Sequence, residues 1–337
     1  MNTASPVSTL ATPGAGTLDP KSWNIQTSLG QLTALTMGDE LVQLAAQRPE
    51  IVVLTADLAS SNGTQVFQQH YPERFVNTGI AEQNMVSVAA GLASTGFIPY
   101  ISTFASFASL LCAEQLRTDL AYTRMRVRIL SHHAGISMGF YGTSHHAVED
   151  LAVTRAMGNM TVVSACDGAA IRGLIRATLD VPGPVYIRIG RGAEKPVYGE
   201  VPVFEHGRFV RLREGRDATV IATGLGVRAA LDAAAVLAEE GVGVRVLDAA
   251  FIKPIDVQGV LAAARETGAI LTVEEHNPHG GLGGAVAEVL AESGLGLRFR
   301  RHALPDDYAL VAPPTHLYRH YGLDGPGVAR ALRELLA

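Results

Sequence analysis

The stretch Asn77-Thr78-Gly79-Ile80-Ala81-Glu82-Gln83-Asn84, followed by the small-residue run Ser87 to Gly91, sets a single acid at the mouth of a helix with almost nothing else to satisfy a buried carboxyl. Arg74 to Asn77 reads as a short strand, Gly79 as a turn, and the Ala-, Val- and Gly-rich segment Ala81 to Ser94 as a helix. Strand, glycine turn and helix together form the repeating unit of an α/β sheet. If Glu82 is buried there, it needs a partner from elsewhere. A glutamate favoured by the macrodipole in the first helical turn, with no further role, is the other reading.

From about Gln31 onward, short apolar runs alternate with helical patterns, as in a parallel sheet covered on both faces. Strands are expected at 51–56, 97–103, 127–131, 160–164 and 184–189, with helices at 81–94, 106–122, 148–157 and 168–179 between them. The Gly- and Pro-containing section 190–204 breaks this rhythm. A second series follows, with strands at 218–222, 244–247, 269–273 and 297–301 and helices at 227–240, 255–265, 284–292 and 327–336. The fold class is therefore α/β, with two consecutive open sheets flanked by helices. The expected divisions are a flexible N-terminal arm over 1–29, a first domain over 30–192, a linker over 193–206 and a second domain over 207–337.

Composition narrows the function. A net charge of −5 and a pI near 6.1, with no basic arm, argue against a general nucleic-acid binder. The two cysteines, Cys112 and Cys166, are too few for a disulfide framework or metal cluster and read as reduced thiols in a cytoplasmic protein. Lysine is confined to Lys21, Lys195 and Lys253, which weakens any Schiff-base mechanism. The N-terminal residues lack the basic start and apolar core of a secretory signal, and no run reads as a membrane span.

Further chemistry is concentrated after the expected strands. Phe104 and Phe107 are three residues apart, a spacing that lets two rings share a helical face and clamp a flat heterocycle, or simply pack in the core. Four of the 11 histidines stand in Ser131-His132-His133-Ala-Gly-Ile-Ser-Met-Gly-Phe-Tyr141-Gly-Thr-Ser-His145-His146. Metal ligation lacks a supporting cysteine pair or His-Glu motif there, whereas proton transfer and hydroxyl binding use imidazoles well at neutral pH. Asp57-Leu-Ala-Ser60-Ser61-Asn62 follows the first strand, and Arg188-Ile-Gly-Arg191-Gly follows the last strand of the first series. Arginine suits a phosphate through its rigid donor fork, although surface solubility explains either arginine too.

Two motifs point elsewhere. Gly135-Ile-Ser137-Met-Gly139 spells the nucleophile elbow of hydrolases but lacks the strand-to-helix turn around it. Gly224-Leu-Gly226-Val-Arg-Ala229 follows a strand, opens a helix and precedes Asp248, the order a dinucleotide-dependent dehydrogenase requires.

Taken in order, Glu82, the pair Phe104 and Phe107, and the histidine loop resemble the transketolase family, and the resemblance runs from about Gln31 to Ala337. It implies a thiamine-diphosphate pyrimidine-binding domain followed by a transketolase C-terminal domain, in which the Gly224 segment is a structural turn. In this likeness Glu82 hydrogen-bonds the aminopyrimidine of thiamine diphosphate, Phe104 and Phe107 lie against that ring, and Asp57 belongs to a nearby loop. Ser61 and Arg191 match phosphate-contacting positions, and His133 and His145 match histidines that move protons and hold hydroxyls. His132 and His146 have weaker matches. Tyr141 stands where many transketolases carry an aspartate for a donor hydroxyl, which leaves the donor open. No Gly-Asp-Gly motif with a downstream Asn is found, so the Mg²⁺ and diphosphate ligands are expected on an N-terminal partner subunit and none on this chain.

The resemblance thus implies the C-terminal subunit of a split transketolase, in a heterotetramer of two subunit pairs. Its reaction is two-carbon ketol transfer from a ketose phosphate to an aldehyde. Transfer of an acyl unit to a lipoyl or carrier-protein arm is the alternative within the same cofactor class.

Overall fold

The computed structural model describes residues 36–191 and 195–337. The arm expected over 1–29 lies outside these residues, as do 192–194, where the expected linker begins. The strands are β1 Ile51–Thr55, β2 Phe75–Asn77, β3 Ile98–Phe104, β4 Arg128–His132, β5 Thr161–Ser164, β6 Val185–Arg188, β7 Val210–Arg213, β8 Ala218–Ala222, β9 Val244–Asp248, β10 Phe251–Lys253, β11 Ala269–Val273 and β12 Arg298–His302. They form a seven-stranded sheet, ordered β10-β5-β6-β4-β3-β1-β2, and a five-stranded sheet, ordered β12-β11-β8-β9-β7.

The two-residue period of a strand explains how the first sheet is covered. Ile51 and Val53 of β1 face one core layer with Met37, Leu41, Ile171 and Leu174, from the helices Thr36–Ala45 and Gly168–Thr178. Val52 and Leu54 face the other layer with Met85, Val86 and Ala89 of the helix Glu82–Ser94. Because both faces are covered, β1, β3, β4, β8, β9 and β11 are buried along their whole length, and β1, β8 and β11 read as almost wholly apolar runs.

The sheets are predominantly parallel, but each carries one antiparallel edge strand that the sequence reading missed. β7 pairs antiparallel with β9 and β10 with β5. The first alternates valine and leucine with arginine on a half-exposed edge, and the second is only three residues long, so neither carries the continuous apolar signal of a central strand. β10 follows β9 of the second sheet yet completes the first. The helix expected over 106–122 is present but irregular, with π turns at Phe107–Leu111 and Leu116–Tyr122 around the short α segment Ala113–Gln115.

Arg128, at the start of β4, is fully buried. Its guanidinium donates to the carbonyls of Gly183, Leu179 and Val181 at 2.8, 2.9 and 2.7 Å, satisfying the turn between the helix Gly168–Thr178 and β6. Removing it takes a donor from three carbonyls, of which Leu179 keeps only Arg126 at 3.4 Å, and leaves a cavity. Arg128→Ala is expected to lower unfolding stability by about 3 kcal/mol in urea titrations.

Candidate active site

Parallel pairing aligns the carboxyl ends of neighbouring strands, and every candidate residue stands at or just beyond one of those ends in the row β2-β1-β3-β4-β6. Register pairs Asn77 with Thr55, Thr55 with Ser102, Phe104 with His132, and Ser131 with Arg188. At the spacing of hydrogen-bonded strands, the five ends make a rim roughly 19 Å long. The strand order turns back between β1 and β3, the position at which open α/β sheets bind ligands.

Beside that switch lies a cluster of rings. Phe104 packs edge-on against Phe107, with ring centres 5.4 Å apart, against His133 at 4.7 Å and against His145 at 5.3 Å. Phe107 also meets His145 at 5.3 Å, and Tyr141 meets the same imidazole at 4.8 Å. Five residues singled out in the sequence are therefore brought together: Phe104, Phe107, His133, Tyr141 and His145. The loop achieves this through a left-handed His133 and two 3-10 turns, Gly139–Ser144, kinked at Gly142; Tyr141 on them is half exposed, and His145 just after them is half buried.

His132 has a stronger place than the sequence suggested. It is completely buried, 4.9 Å from the Phe104 ring, and its Nδ1 meets Nδ1 of His133. Its Nε2 is buried with no hydrogen-bond partner among the described residues. The pairing of His132 with Phe104 across β3 and β4 depends on register, which adjacency in the sequence could not disclose. His145 Nδ1 is engaged at 2.9 Å by its neighbour Ser144.

Glu82, Asp57 and Ser61 lie on the rim outside this cluster, and no hydrogen bond, ion pair or ring contact among the described residues joins them to it. Glu82 opens its helix, is 6 % exposed, and makes no side-chain hydrogen bond or ion pair among the described residues. Its helix is tied to the π turn that carries Phe107, because Gln83 Nε2 donates to the Leu111 carbonyl at 3.0 Å. Asp57 is exposed, in a left-handed conformation, and exchanges hydrogen bonds with Asn77, its amide donating at 3.0 Å and its carboxylate accepting at 3.1 Å. Ser61, half buried on the single helical turn Ala59–Asn62, donates to the Leu58 carbonyl at 3.1 Å.

The two arginines part company. Arg188 is buried, pairs with Asp150 at 2.8 Å, and donates to the carbonyls of Ala147 and Glu275, so neither phosphate binding nor surface solubility accounts for it. Arg191 has Nε and Nη1 buried without a hydrogen-bond partner among the described residues. Burial lowers its pKa, while nearby Tyr141 opposes the shift.

The two competing motifs are structural. Ser137 is buried and its hydroxyl donates to the Ala134 carbonyl at 2.6 Å, so it presents no free nucleophile. Asp248, the acid a dinucleotide ribose requires, is completely buried and accepts from Tyr198 at 2.7 Å. Burial pushes its pKa up to about 7. A Cβ on Gly226 would stand 2.9 Å from the Val273 side chain and carbonyl oxygen, so this glycine serves helix-to-strand packing.

Residues 31–195 match the family model of the transketolase pyrimidine-binding domain, and residues 207–328 match that of the transketolase C-terminal domain. A transketolase C-terminal section from Methanocaldococcus jannaschii is 40% identical over 299 residues, covering 88% of this chain and 94% of the relative. One subunit of an apulose-4-phosphate transketolase from Phocaeicola vulgatus is 39% identical over 300 residues, covering 88% of this chain and 95% of the relative. A solved split-gene transketolase, an inactive beta4 tetramer, superposes with a TM-score of 0.83 at 42% identity, covering 91% of this chain and 98% of that one. The chain belongs to the transketolase family of transferases. Along nearly its whole described length it corresponds to the C-terminal section of a split transketolase.

The ring cluster also sets an acid limit on stability. Burial holds the His132 pKa down at about 3, with Arg191 adding to the shift, and burial likewise holds His133 well below 6.5, with His132, Arg191 and His145 adding to it. Unfolded imidazoles take up protons near 6.5, so between there and the folded values the unfolded chain binds more protons. Stability is full above about 6.5 and falls as pH drops through that window, by about 1.4 kcal/mol per pH unit for each imidazole. Urea titrations from about pH 7.5 down to about pH 4.5 are expected to show a shallower acid slope for His132→Gln, which removes one of these groups.

Proposed function

We propose that this chain is the pyrimidine-binding subunit of a thiamine-diphosphate-dependent transketolase that moves a two-carbon ketol unit from a ketose phosphate to an aldehyde. The observation that supports this most is Glu82, a nearly buried carboxyl without a side-chain partner, on a helix tied to the segment bearing Phe107. A flat aminopyrimidine fits this donor set: it offers ring nitrogens to the acid and a face to Phe104 and Phe107. When bound, thiamine diphosphate supplies the electron sink for breaking the ketose carbon–carbon bond. Mg²⁺ and the diphosphate are assigned to an N-terminal partner subunit, two of each subunit forming a heterotetramer. We place the enzyme in the cytoplasm, in keeping with the buried, unpaired Cys112 and Cys166. No helix among the described residues is long and apolar enough to cross a membrane.

The protein's part is positioning and proton handling. Glu82 shares a proton with the aminopyrimidine, and the rings of Phe104 and Phe107 hold it and exclude water. His132 and His133 touch through their Nδ1 atoms, so one donates and the other accepts. If His132 donates, its buried Nε2 keeps only an unpaired acceptor, which costs less than an orphaned N–H. His133 is then protonated on Nε2 and offers that N–H to a substrate oxygen. His145, engaged at Nδ1 by Ser144, likewise has Nε2 left for a substrate hydroxyl. Asp57 borders the cofactor, and Ser61 and Arg191 receive the substrate phosphate. Arg191 suits that role because its buried donors lack a partner among the described residues.

The test is reconstitution with the N-terminal subunit, Mg²⁺ and thiamine diphosphate, followed by product analysis from a ketose phosphate and an aldehyde. The ketol-transfer product is expected from the complex and not from this chain alone, and Glu82→Gln is expected to assemble but lose at least about 100-fold in kcat. Product formed only from a 2-oxoacid and a lipoyl arm would sink the ketol reading. Full activity of the lone chain would sink the partner.

Donor choice is open to a separate measurement. Tyr141 replaces an anionic acceptor with a half-exposed phenol that both donates and accepts. Tyr141→Asp is expected to shift relative kcat/KM towards ordinary ketose phosphates such as xylulose 5-phosphate. Arg191→Ala is expected to weaken phosphorylated donors by about 100-fold while sparing their unphosphorylated analogues. Equal losses on both would assign Arg191 to structure.

A further inference from the structure

The loop bearing His133, Tyr141 and His145 is held from outside its own sheet. Gly135 and Ala147 exchange backbone hydrogen bonds, each 2.9 Å, and close the loop at its base. Within the closed loop, the Ile136 amide donates to Oε1 of Glu275 at 2.7 Å. Glu275 lies just beyond the carboxyl end of β11, in the other sheet, and is 3 % exposed. The same Oε1 accepts the Tyr318 hydroxyl at 2.8 Å, from the helix Pro314–His320. The Glu275 backbone carbonyl accepts from Arg188 at 2.9 Å, and that guanidinium also reaches the Ala147 carbonyl at 3.0 Å.

The approach is close enough to constrain the sequence. A Cβ on Gly135 would lie 2.2 Å from Cδ of Glu275, and Gly135 has a φ of 61°, so only glycine lets the carboxylate sit against the loop. The second half of the chain also touches the loop farther out. A Cβ on Gly139 would meet the Ala312 carbonyl oxygen at 2.2 Å, and one on Gly142 would meet the Val311 side chain at 2.9 Å.

We propose that Glu275 is a positioning residue for substrate binding: by holding the Ile136 amide and the Tyr318 hydroxyl on one carboxylate oxygen, it fixes the placement of the His133 to His145 loop over the Phe104 ring. The second domain thereby acts on the chemistry of the first without touching substrate. This rests on reading that loop as the substrate-binding loop.

The test uses the reconstituted enzyme and four variants, Glu275→Ala, Glu275→Gln, Tyr318→Phe and His145→Ala, with steady-state kinetics and hydrogen exchange read by mass spectrometry. Glutamine keeps the accepting oxygen, so Glu275→Gln is expected to stay within about twofold of the parent in donor kcat/KM. Glu275→Ala orphans a buried amide and hydroxyl, so about a tenfold or greater loss is expected, mostly in donor KM, with faster exchange confined to peptides spanning 136–144. Tyr318→Phe removes one of the two bonds and is expected to cost about threefold; it carries the test if Glu275→Ala does not fold. Unchanged loop exchange and donor KM in a folded Glu275→Ala, or in Tyr318→Phe alone, would overturn the assignment. A His145→Ala enzyme with parental kinetics would overturn the underlying reading of the loop, and a loss there with none in the clamp variants would overturn the clamp alone.

Discussion

The buried ion pair between Arg188 and Asp150 holds the site to both halves of the molecule. Taking two charges out of water is costly, and their hydrogen bonds offset that cost in part, since Asp150 Oδ1 is buried without a partner among the described residues. Arg188 uses its fork on the Asp150 carboxylate, on the Ala147 carbonyl at the base of the histidine loop, and on the Glu275 carbonyl of the second half. Asp150 in turn accepts the Tyr186 hydroxyl at 2.9 Å. Strand β6, the loop, the helix Asp150–Ala156 and the region after β11 therefore meet at one guanidinium.

How far the sequence discloses this depends on the range of each interaction. The central strands were legible because burial on both faces writes itself as a mainly apolar run, and the chemical residues were legible because they cluster after such runs. Glu82 was conspicuous because its neighbours are small and apolar. Arg188 was misleading: beside Arg191 it looked like a residue of the solvated surface, and only the fold brings Asp150 within reach across 38 positions. His132 was undervalued for the same reason, since its partner Phe104 is supplied by register between β3 and β4. Asp248 illustrates the reverse case, a correctly spaced acid whose oxygen is taken by a tyrosine 50 residues away. β7 and β10 escaped because edge strands need no apolar continuity.

The division of labour between the two sheets also becomes physical. The rim of the first sheet supplies the rings and polar groups, while the second half holds the loop that carries the histidines through a carboxylate, a tyrosine hydroxyl and close contacts at three glycines. A side chain at Gly135, Gly139 or Gly142 would press into that support. The second half is in this sense part of the site's framework, although none of the candidate residues comes from it.

One consequence follows from β10. The seventh strand of the first sheet comes from residues 251–253, long after the other six, and it covers the outer edge of β5. While the chain emerges from the ribosome, that edge stays open until residues 251–253 of the second half have been made, and an open edge can template pairing with another molecule. A nascent chain that ends near residue 200 therefore leaves that edge uncovered, and the molecule is not two independently ripening domains on a string.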